Sequence, residues 1–231
     1  MIKAILMDFN GVVIDDEPIQ HEAYRAIFKE EGIEISDEEY YSRLGMDDRT
    51  FVRSIYEAAG KTVDDDKVRQ GTRGKTAHWR KIVEEDPPLF PGVEDFVKKM
   101  ASEFTLGIVS MARREEIDFV LERKGMAPYF STIISADDVT ACKPDPQCYR
   151  EGFRQIDRFR VAQGGLPMVH SECLVVEDSP PGVVSAQKAG LPVLGVANTV
   201  PSEQLRAAGA GAIAKDLSDW VPDSIRLVFS N

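Results

Sequence analysis

The stretch IKAILMDFNGVV (residues 2–13) decides the fold. Ile2, Ala4, Ile5, Leu6 and Met7 form a short, nearly continuous apolar run, the pattern of a strand buried on both faces. The run stops at Asp8, and Asn10-Gly11 follows as a turn dipeptide. Four later runs repeat the design: FTLGIVS (104–110), FSTIISA (130–136), ECLVVED (172–178) and LPVLGVA (191–197). Amphipathic stretches lie between them, such as PGVEDFVKKMASE (91–103), REEIDFVLERKG (114–125) and GVVSAQKAG (182–190). This strand-helix alternation predicts an α/β fold with a doubly wound parallel sheet, whose ligands sit beyond the carboxyl ends of the strands.

Residues 17–86 break the rhythm. EPIQHEAYRAIFKEEG carries Ala23, Tyr24, Ile27 and Phe28 at helical spacing. SDEEYYSRL opens with Ser36 and Glu39, a capping-box pair. TFVRSIYEAAG ends at Gly60, a helix stop, and KVRQGTRGKTAHWRKIVEE continues in helical style. DPPLFPG (86–92) then punctuates the chain as a linker would. The expected organisation is a core built from 1–16 and 87–231, with an all-helical domain of residues 17–86 inserted after the first strand.

Composition limits the partners. The chain has 231 residues, 43% of them hydrophobic and 29% charged, as ordinary globular proteins have. No apolar run reaches the ~18 residues of a membrane helix, and the N-terminal run passes straight into Asp8 without a leader layout. A cytoplasmic location and no membrane partner are the expectations. A net charge of −11 argues against nucleic acid, which would be repelled overall. A small anionic substrate is compatible with that charge if a metal or a few placed cations make its site locally positive. Cys142, Cys148 and Cys173 are odd in number and lack CxxC spacing, so reduced packing residues are expected.

The strand ends hold the chemistry. Asp8 follows the first strand, Ser110 the second, Lys143 lies shortly beyond the third, and Glu177-Asp178 close the fourth. Parallel strands bring these groups to one edge of the sheet. Three carboxylates so gathered repel one another unless a cation sits among them, and oxygen ligands favour Mg²⁺. A Lys and a hydroxyl beside them suit a phosphoryl group, and a carboxylate can attack phosphorus to form an aspartyl-phosphate. Each residue alone has a plainer reading. Asp8 could cap a strand, Ser110 could start a helix, Lys143 could be a solvated loop residue, and Glu177-Asp178-Ser179 could form a turn and helix cap.

Taken together, MDFNGVV, GIVSMA, CKPDPQCY and LVVEDSPPGVVSAQKAG resemble, in order and spacing, the four motifs of the haloacid dehalogenase superfamily, over nearly the whole chain. The subfamily resembled contains phosphoglycolate phosphatases and β-phosphoglucomutases. The resemblance implies a Rossmann-like core, a helical cap at 17–86, Mg²⁺ as cofactor and a small phosphorylated metabolite as substrate. It makes Asp8 the nucleophile, with Asp8, the carbonyl of Asn10, Asp178 and Glu177 (direct or through water) around the metal. Ser110, Lys143 and the Met111-Ala112 turn would take the phosphoryl group. A monomer or weak homodimer is the expected state.

Position 10 departs from the pattern. The phosphatases and mutases of the superfamily carry a second Asp there as general acid and base, and an amide cannot deliver and recover a proton at useful pH. Losing that help typically costs ~10²- to 10⁴-fold in rate. Asn is close to isosteric with Asp, so metal and phosphate binding should survive. Either the chain was altered to slow turnover or it is a natural variant of weak or changed activity; the residues leave both open. Three functions follow: an attenuated phosphatase, a phosphoglucomutase-like phosphotransferase, or a phospho-metabolite binding protein with almost no turnover.

The cap would choose the substrate. RLGMDDRT (43–50) resembles the family's substrate loop, with Gly45 as its turn and Arg49 as ligand for a distal anion. Lys75, four residues before Trp79, resembles the cap lysine of the mutases. Both are held against the plainer reading of solvated surface cations. Where those mutases carry a cap His this chain has Gln20, with His21 one place later, which weakens the mutase reading. His21, His78 and His170 lack metal spacing, and RFRVAQGGLPMVHSE (158–172) is expected to be a long loop.

Overall fold

In the computed structural model, which describes residues 1–229, β1 (Ala4–Met7) is the central strand. Four helices follow it: α1 (Glu17–Lys29), α2 (Asp37–Tyr41), α3 (Asp48–Ala58) and α4 (Asp65–Val83). The chain then alternates through α5 (Val93–Ala101), β2 (Thr105–Val109), α6 (Arg114–Arg123), β3 (Phe130–Ile134) and α7 (Gln147–Ala162). It closes with β4 (Cys173–Glu177), α8 (Pro180–Lys188), β5 (Val193–Val196), α9 (Ser202–Ala208), β6 (Ala212–Ala214) and α10 (Pro222–Val228).

The strands form one sheet in the order β3-β2-β1-β4-β5-β6, all parallel. This is a Rossmann-like doubly wound sheet, and its order reverses at β1, between β2 and β4. Both faces are covered. Ile5, Met7, Leu174 and Val176 join the apolar core on one face, while Ala4, Leu6, Cys173 and Val175 join the core on the other. That split is the two-residue period of a strand, and it explains why the β1 run had to be continuous rather than alternating.

The helical segment packs a third cluster of its own, including Tyr24, Phe28, Phe51, Val52 and Ile55. Ser36 makes both halves of the capping box at the start of α2. On α4 the buried positions are Val68, Thr72, Lys75, Trp79 and Val83, a single stripe at steps of three and four. Trp79 and Val83 at its lower end belong to the core beneath the sheet, so α4 ties the helical segment to it. Where the chain leaves and re-enters the core, the two crossings run side by side. Asp15 N donates to Pro88 O (2.8 Å) and Phe90 N to Val13 O (3.2 Å).

Two expectations need correction. β6 is a strand the apolar runs did not announce, because three residues are too short to display a period. The segment 158–172 is not one long loop: α7 continues through Ala162, and a 3-10 turn covers His170–Glu172. Cys148, Tyr149, Gly152 and Ile156 are the buried stripe that makes this helix. The three cysteines are free. No helix among the described residues is long and apolar enough to cross a membrane.

Candidate active site

The β1 and β4 carboxyl ends meet at the switch point, and the charged residues of the sequence converge there. Asp8 follows β1, its amide donating to Val176 O (2.9 Å). Asp8, Glu177 and Asp178 are all buried and present carboxylate oxygens within 4.8 Å of one another. Lys143 lies among them, with Nζ 2.9 Å from Asp8 Oδ2 and 2.6 Å from Glu177 Oε1. Gly11 has φ +75° and must be glycine, since a Cβ there would lie 1.9 Å from Asp178 Oδ2. The turn after β1 is therefore shaped around the Asp178 carboxylate.

The electrostatics are those of a site short of positive charge. Burial, helped by the nearby Glu177 charge and opposed by Lys143, pushes the Asp8 carboxyl up to about 7. Burial, Glu177 and Asp8 together hold Asp178 well above the carboxylate range. Glu177 behaves differently. Burial alone would raise it, but Lys143, the Tyr149 hydroxyl and the Ser179 amide hold it below its ordinary value. Its Oε1 accepts from Lys143 and Tyr149, and its Oε2 from the amides of Asp178 and Ser179 and the Ser179 hydroxyl. Asp8 and Asp178 are thus the carboxylates with capacity left for a cation, and Glu177 fixes Lys143 beside them. All donors are hard oxygens, and a divalent cation would relieve the repulsion between them, so the residues fit Mg²⁺.

Ser110 stands just beyond β2, buried, with Oγ accepting from Ala112 N (3.1 Å) and donating to Asn10 Oδ1 (3.3 Å). Asn10 Nδ2 faces the other way and donates to both oxygens of Asp16 (3.0 and 3.1 Å). Asp16 also accepts from Gln20 Nε2 (2.8 Å) and Trp79 Nε1 (2.7 Å) and is completely buried. It stands at the N-cap position of α1 without capping it, its side chain turned inward instead. The amide at position 10 is thereby fixed in one orientation, oxygen toward Ser110 and nitrogen toward a buried carboxylate.

A cavity joins this cluster to the helical segment. Asp8, Asn10, Ser110, Met111, Ala112, Lys143 and Asp178 line its floor. Gly45 and Lys75 line its upper wall, together with Glu17, Gln20, Tyr24, Tyr40, Arg43 and Asp48. Gly45, at φ +84°, approaches the core so closely that a Cβ would lie 3.0 Å from Pro181 Cβ and 3.2 Å from Lys143 Cβ. Lys75 is 2% exposed and sits between Asp48 (3.0 Å) and Glu116 (3.1 Å). Arg49 is the residue the structure leaves outside. It is exposed in the first turn of α3 and lines a separate cleft with Arg69, Arg73 and Arg113, while Arg43, before the Gly45 turn, faces the cavity.

Sequence reasoning missed Asp16, Glu17 and Asp48. Asp16 reads from the sequence as an N-cap of α1, so nothing announced that its side chain turns inward. For Asp48 there was no signal either, because DD in a loop reads equally well as solvated.

A family model for haloacid dehalogenase-like hydrolases matches residues 2–190. The chain belongs to the haloacid dehalogenase-like hydrolases. A phosphorylated carbohydrates phosphatase of Thermotoga maritima is 28% identical over 218 residues, spanning 93% of this chain and 94% of that protein. A validoxylamine A 7'-phosphate phosphatase of Streptomyces hygroscopicus is 26% identical over 221 residues, 95% of this chain and 96% of that one. A β-phosphoglucomutase structure from Clostridium difficile superposes with a TM-score of 0.85 at 20% identity, covering 99% and 97% of the two chains. That last likeness speaks for the haloacid dehalogenase-like fold alone.

Proposed function

We propose that this chain is a Mg²⁺-dependent phosphohydrolase for a small phosphorylated metabolite, a sugar phosphate or a molecule of that size, slowed at its proton-transfer step by Asn10. The observation that carries the reading is Asp8 at the β1 end, with Lys143 at 2.9 Å and the Asp178 and Glu177 carboxylates alongside. The curated relatives, named as phosphatases of phosphorylated carbohydrates and of validoxylamine A 7'-phosphate, support the same class.

In this mechanism a phosphoryl group enters between Asp8, Ser110 and Lys143. An Asp8 carboxylate oxygen forms a bond to phosphorus as the ester P–O bond breaks, and the electron pair leaves with the alcohol oxygen. Lys143 donates to the phosphoryl oxygens while Glu177 holds it in place. When bound among Asp8, Asp178 and the Asn10 carbonyl, with Glu177 behind, Mg²⁺ would neutralise charge on the transferring group. Water then cleaves the aspartyl-phosphate, releasing inorganic phosphate and restoring Asp8. The departing oxygen needs a proton, and Asn10 has none to give, since its nitrogen is committed to Asp16 and its oxygen only accepts. That step falls to solvent. The helical segment acts as the cap over the site.

The test is phosphate release from a panel of small phosphate esters with Mg²⁺, for this chain and for Asn10→Asp side by side. A gain of about 10²-fold or more on restoring the acid supports the phosphatase. Asn10 held by a buried carboxylate favours one second reading, a phospho-metabolite binding protein. If Asn10→Asp stays inactive on every ester while Mg²⁺-dependent ligand binding persists, that reading replaces the first.

A further inference from the structure

Under the phosphohydrolase reading, Lys143 is the cation that meets the phosphoryl group, and all three of its N–H bonds are spent within the protein. Nζ lies 2.9 Å from Asp8 Oδ2, 2.6 Å from Glu177 Oε1 and 3.4 Å from the Val109 carbonyl oxygen. To take a phosphoryl oxygen, the ammonium must turn the bond now on Asp8 toward the substrate. Glu177 opposes that turn, because a fully buried carboxylate attracts a cation strongly where the dielectric is low. Its pull is limited by its other donors. Oε2 is filled by the amides of Asp178 and Ser179 and by the Ser179 hydroxyl. Oε1, the oxygen Lys143 uses, has one further partner, the Tyr149 hydroxyl at 2.9 Å.

Tyr149 is completely buried and touches both members of the pair. Its hydroxyl donates to the Glu177 carboxylate, and its ring centroid lies 5.1 Å from Lys143 Nζ, within reach of a cation–π contact. The approach is built into α7. Tyr149 and Gly152 share the buried stripe of that helix, about one turn apart. A Cβ at Gly152 would lie 2.6 Å from Val109 Cγ2 and 3.2 Å from Leu6 Cδ1. Glycine there lets α7 lie close on β1 and β2, which brings the Tyr149 hydroxyl to the end of β4. A ring needed only to fill this space would be served by phenylalanine, since a phenol in a dry interior requires a partner for its O–H.

Resting on the phosphohydrolase reading above, we propose that Tyr149 is a positioning residue that shares Glu177 Oε1 with Lys143 and so keeps the ammonium between Glu177 and Asp8, free to turn to a phosphoryl oxygen. Without the hydroxyl, Oε1 has Lys143 as its remaining donor. The ammonium then moves toward Glu177, and its bond to the phosphoryl group weakens. Tyr149 itself touches neither substrate nor metal in this scheme and acts through the pair.

The test is the Kd of inorganic phosphate in the presence of Mg²⁺, measured by calorimetry on the unmodified chain, Tyr149→Phe and Ile156→Val. Tyr149→Phe keeps the ring and removes the hydroxyl, and it should weaken phosphate binding by about tenfold, the worth of one hydrogen bond to a charged group. Ile156 lies on the same buried stripe of α7 and has no polar role. Ile156→Val should lower the melting temperature, as loss of a buried methylene does, and leave the Kd within about twofold. A Kd unchanged in Tyr149→Phe overturns the proposal and leaves the phosphohydrolase standing. A loss of binding in Ile156→Val equal to that in Tyr149→Phe also overturns it, because the effect is then one of helix packing. If the unmodified chain shows no Mg²⁺-dependent phosphate binding, the phosphohydrolase reading falls and the positioning role falls with it.

Discussion

At residue position 10 the amide is built into its surroundings. Asp16 is fully buried and takes two of its hydrogen bonds from Asn10, so a carboxylate at position 10 would remove both donors and add a like charge at about 3 Å. Burial already raises Asp16, and the donors from Asn10, Gln20 and Trp79 are what hold that rise in check. Asn10→Asp therefore creates a pair that keeps one proton between the two groups. The single variant should lose stability by about 1–3 kcal/mol, the penalty of a buried polar group stripped of partners. Its activity should persist to higher pH than that of Asn10→Asp with Asp16→Ser, because in the single variant Asp16 raises the new acid. Urea denaturation and pH–rate profiles of the two variants check both points. Identical profiles would mean that Asp16 does not reach position 10.

At the level of elements, α3, α4 and α6 are joined by one buried cluster, Asp48–Lys75–Glu116. Burial alone would lower the Lys75 ammonium, yet Asp48 and Glu116 hold it above its ordinary value. Removing the cation leaves two buried carboxylates facing each other, whereas removing one carboxylate leaves a balanced pair. Lys75→Met should thus cost about 3–5 kcal/mol and Glu116→Gln about 1 kcal/mol or less, as read from urea denaturation. Equal costs would show that charge balance is not what organises the cluster. Legibility in the sequence divides along the same lines. Strands β1 to β5 were readable because both faces are covered and their runs are continuous, and Asp8, Ser110, Lys143, Glu177 and Asp178 were readable because strand ends converge. Asp48 and Glu116 were not, since burial of an acid depends on a cation supplied by another helix. Arg49 and Arg43 could not be told apart either: six residues apart, their directions are set by the turn at Gly45, which follows Arg43, and by the start of α3, which carries Arg49.

Over the whole molecule, the net charge is −11, and four of its acids, Asp8, Asp178, Asp16 and Glu17, are buried around the site. Burial raises all four, Asp8 and Glu17 to about 7, the latter aided by Asp16. The native state therefore keeps protons that the unfolded chain releases near pH 4. Where the folded state binds more protons than the unfolded one, stability falls as pH rises, here from about 4 up to 7 and beyond. Glu177, held low by Lys143, works in the opposite sense, as do the solvent-screened Glu31, Glu39, Asp86 and Glu172, while buried Glu116 adds to the raised groups. A divalent cation at Asp8 and Asp178 competes with their protons and so stabilises most where both are ionised. In EDTA the chain should thus melt at lower temperature at pH 8 than at pH 5.5. Mg²⁺ at about a hundred times its Kd should restore about 2.7 kcal/mol at pH 8, a rise of about 5–10 °C for a chain of this size, and much less at pH 5.5. Thermal melts at the two pH values with and without Mg²⁺ measure this difference directly. An equal Mg²⁺ effect at both would place the cation away from Asp8 and Asp178, and with it the phosphoryl chemistry assigned to the β1 edge of the sheet.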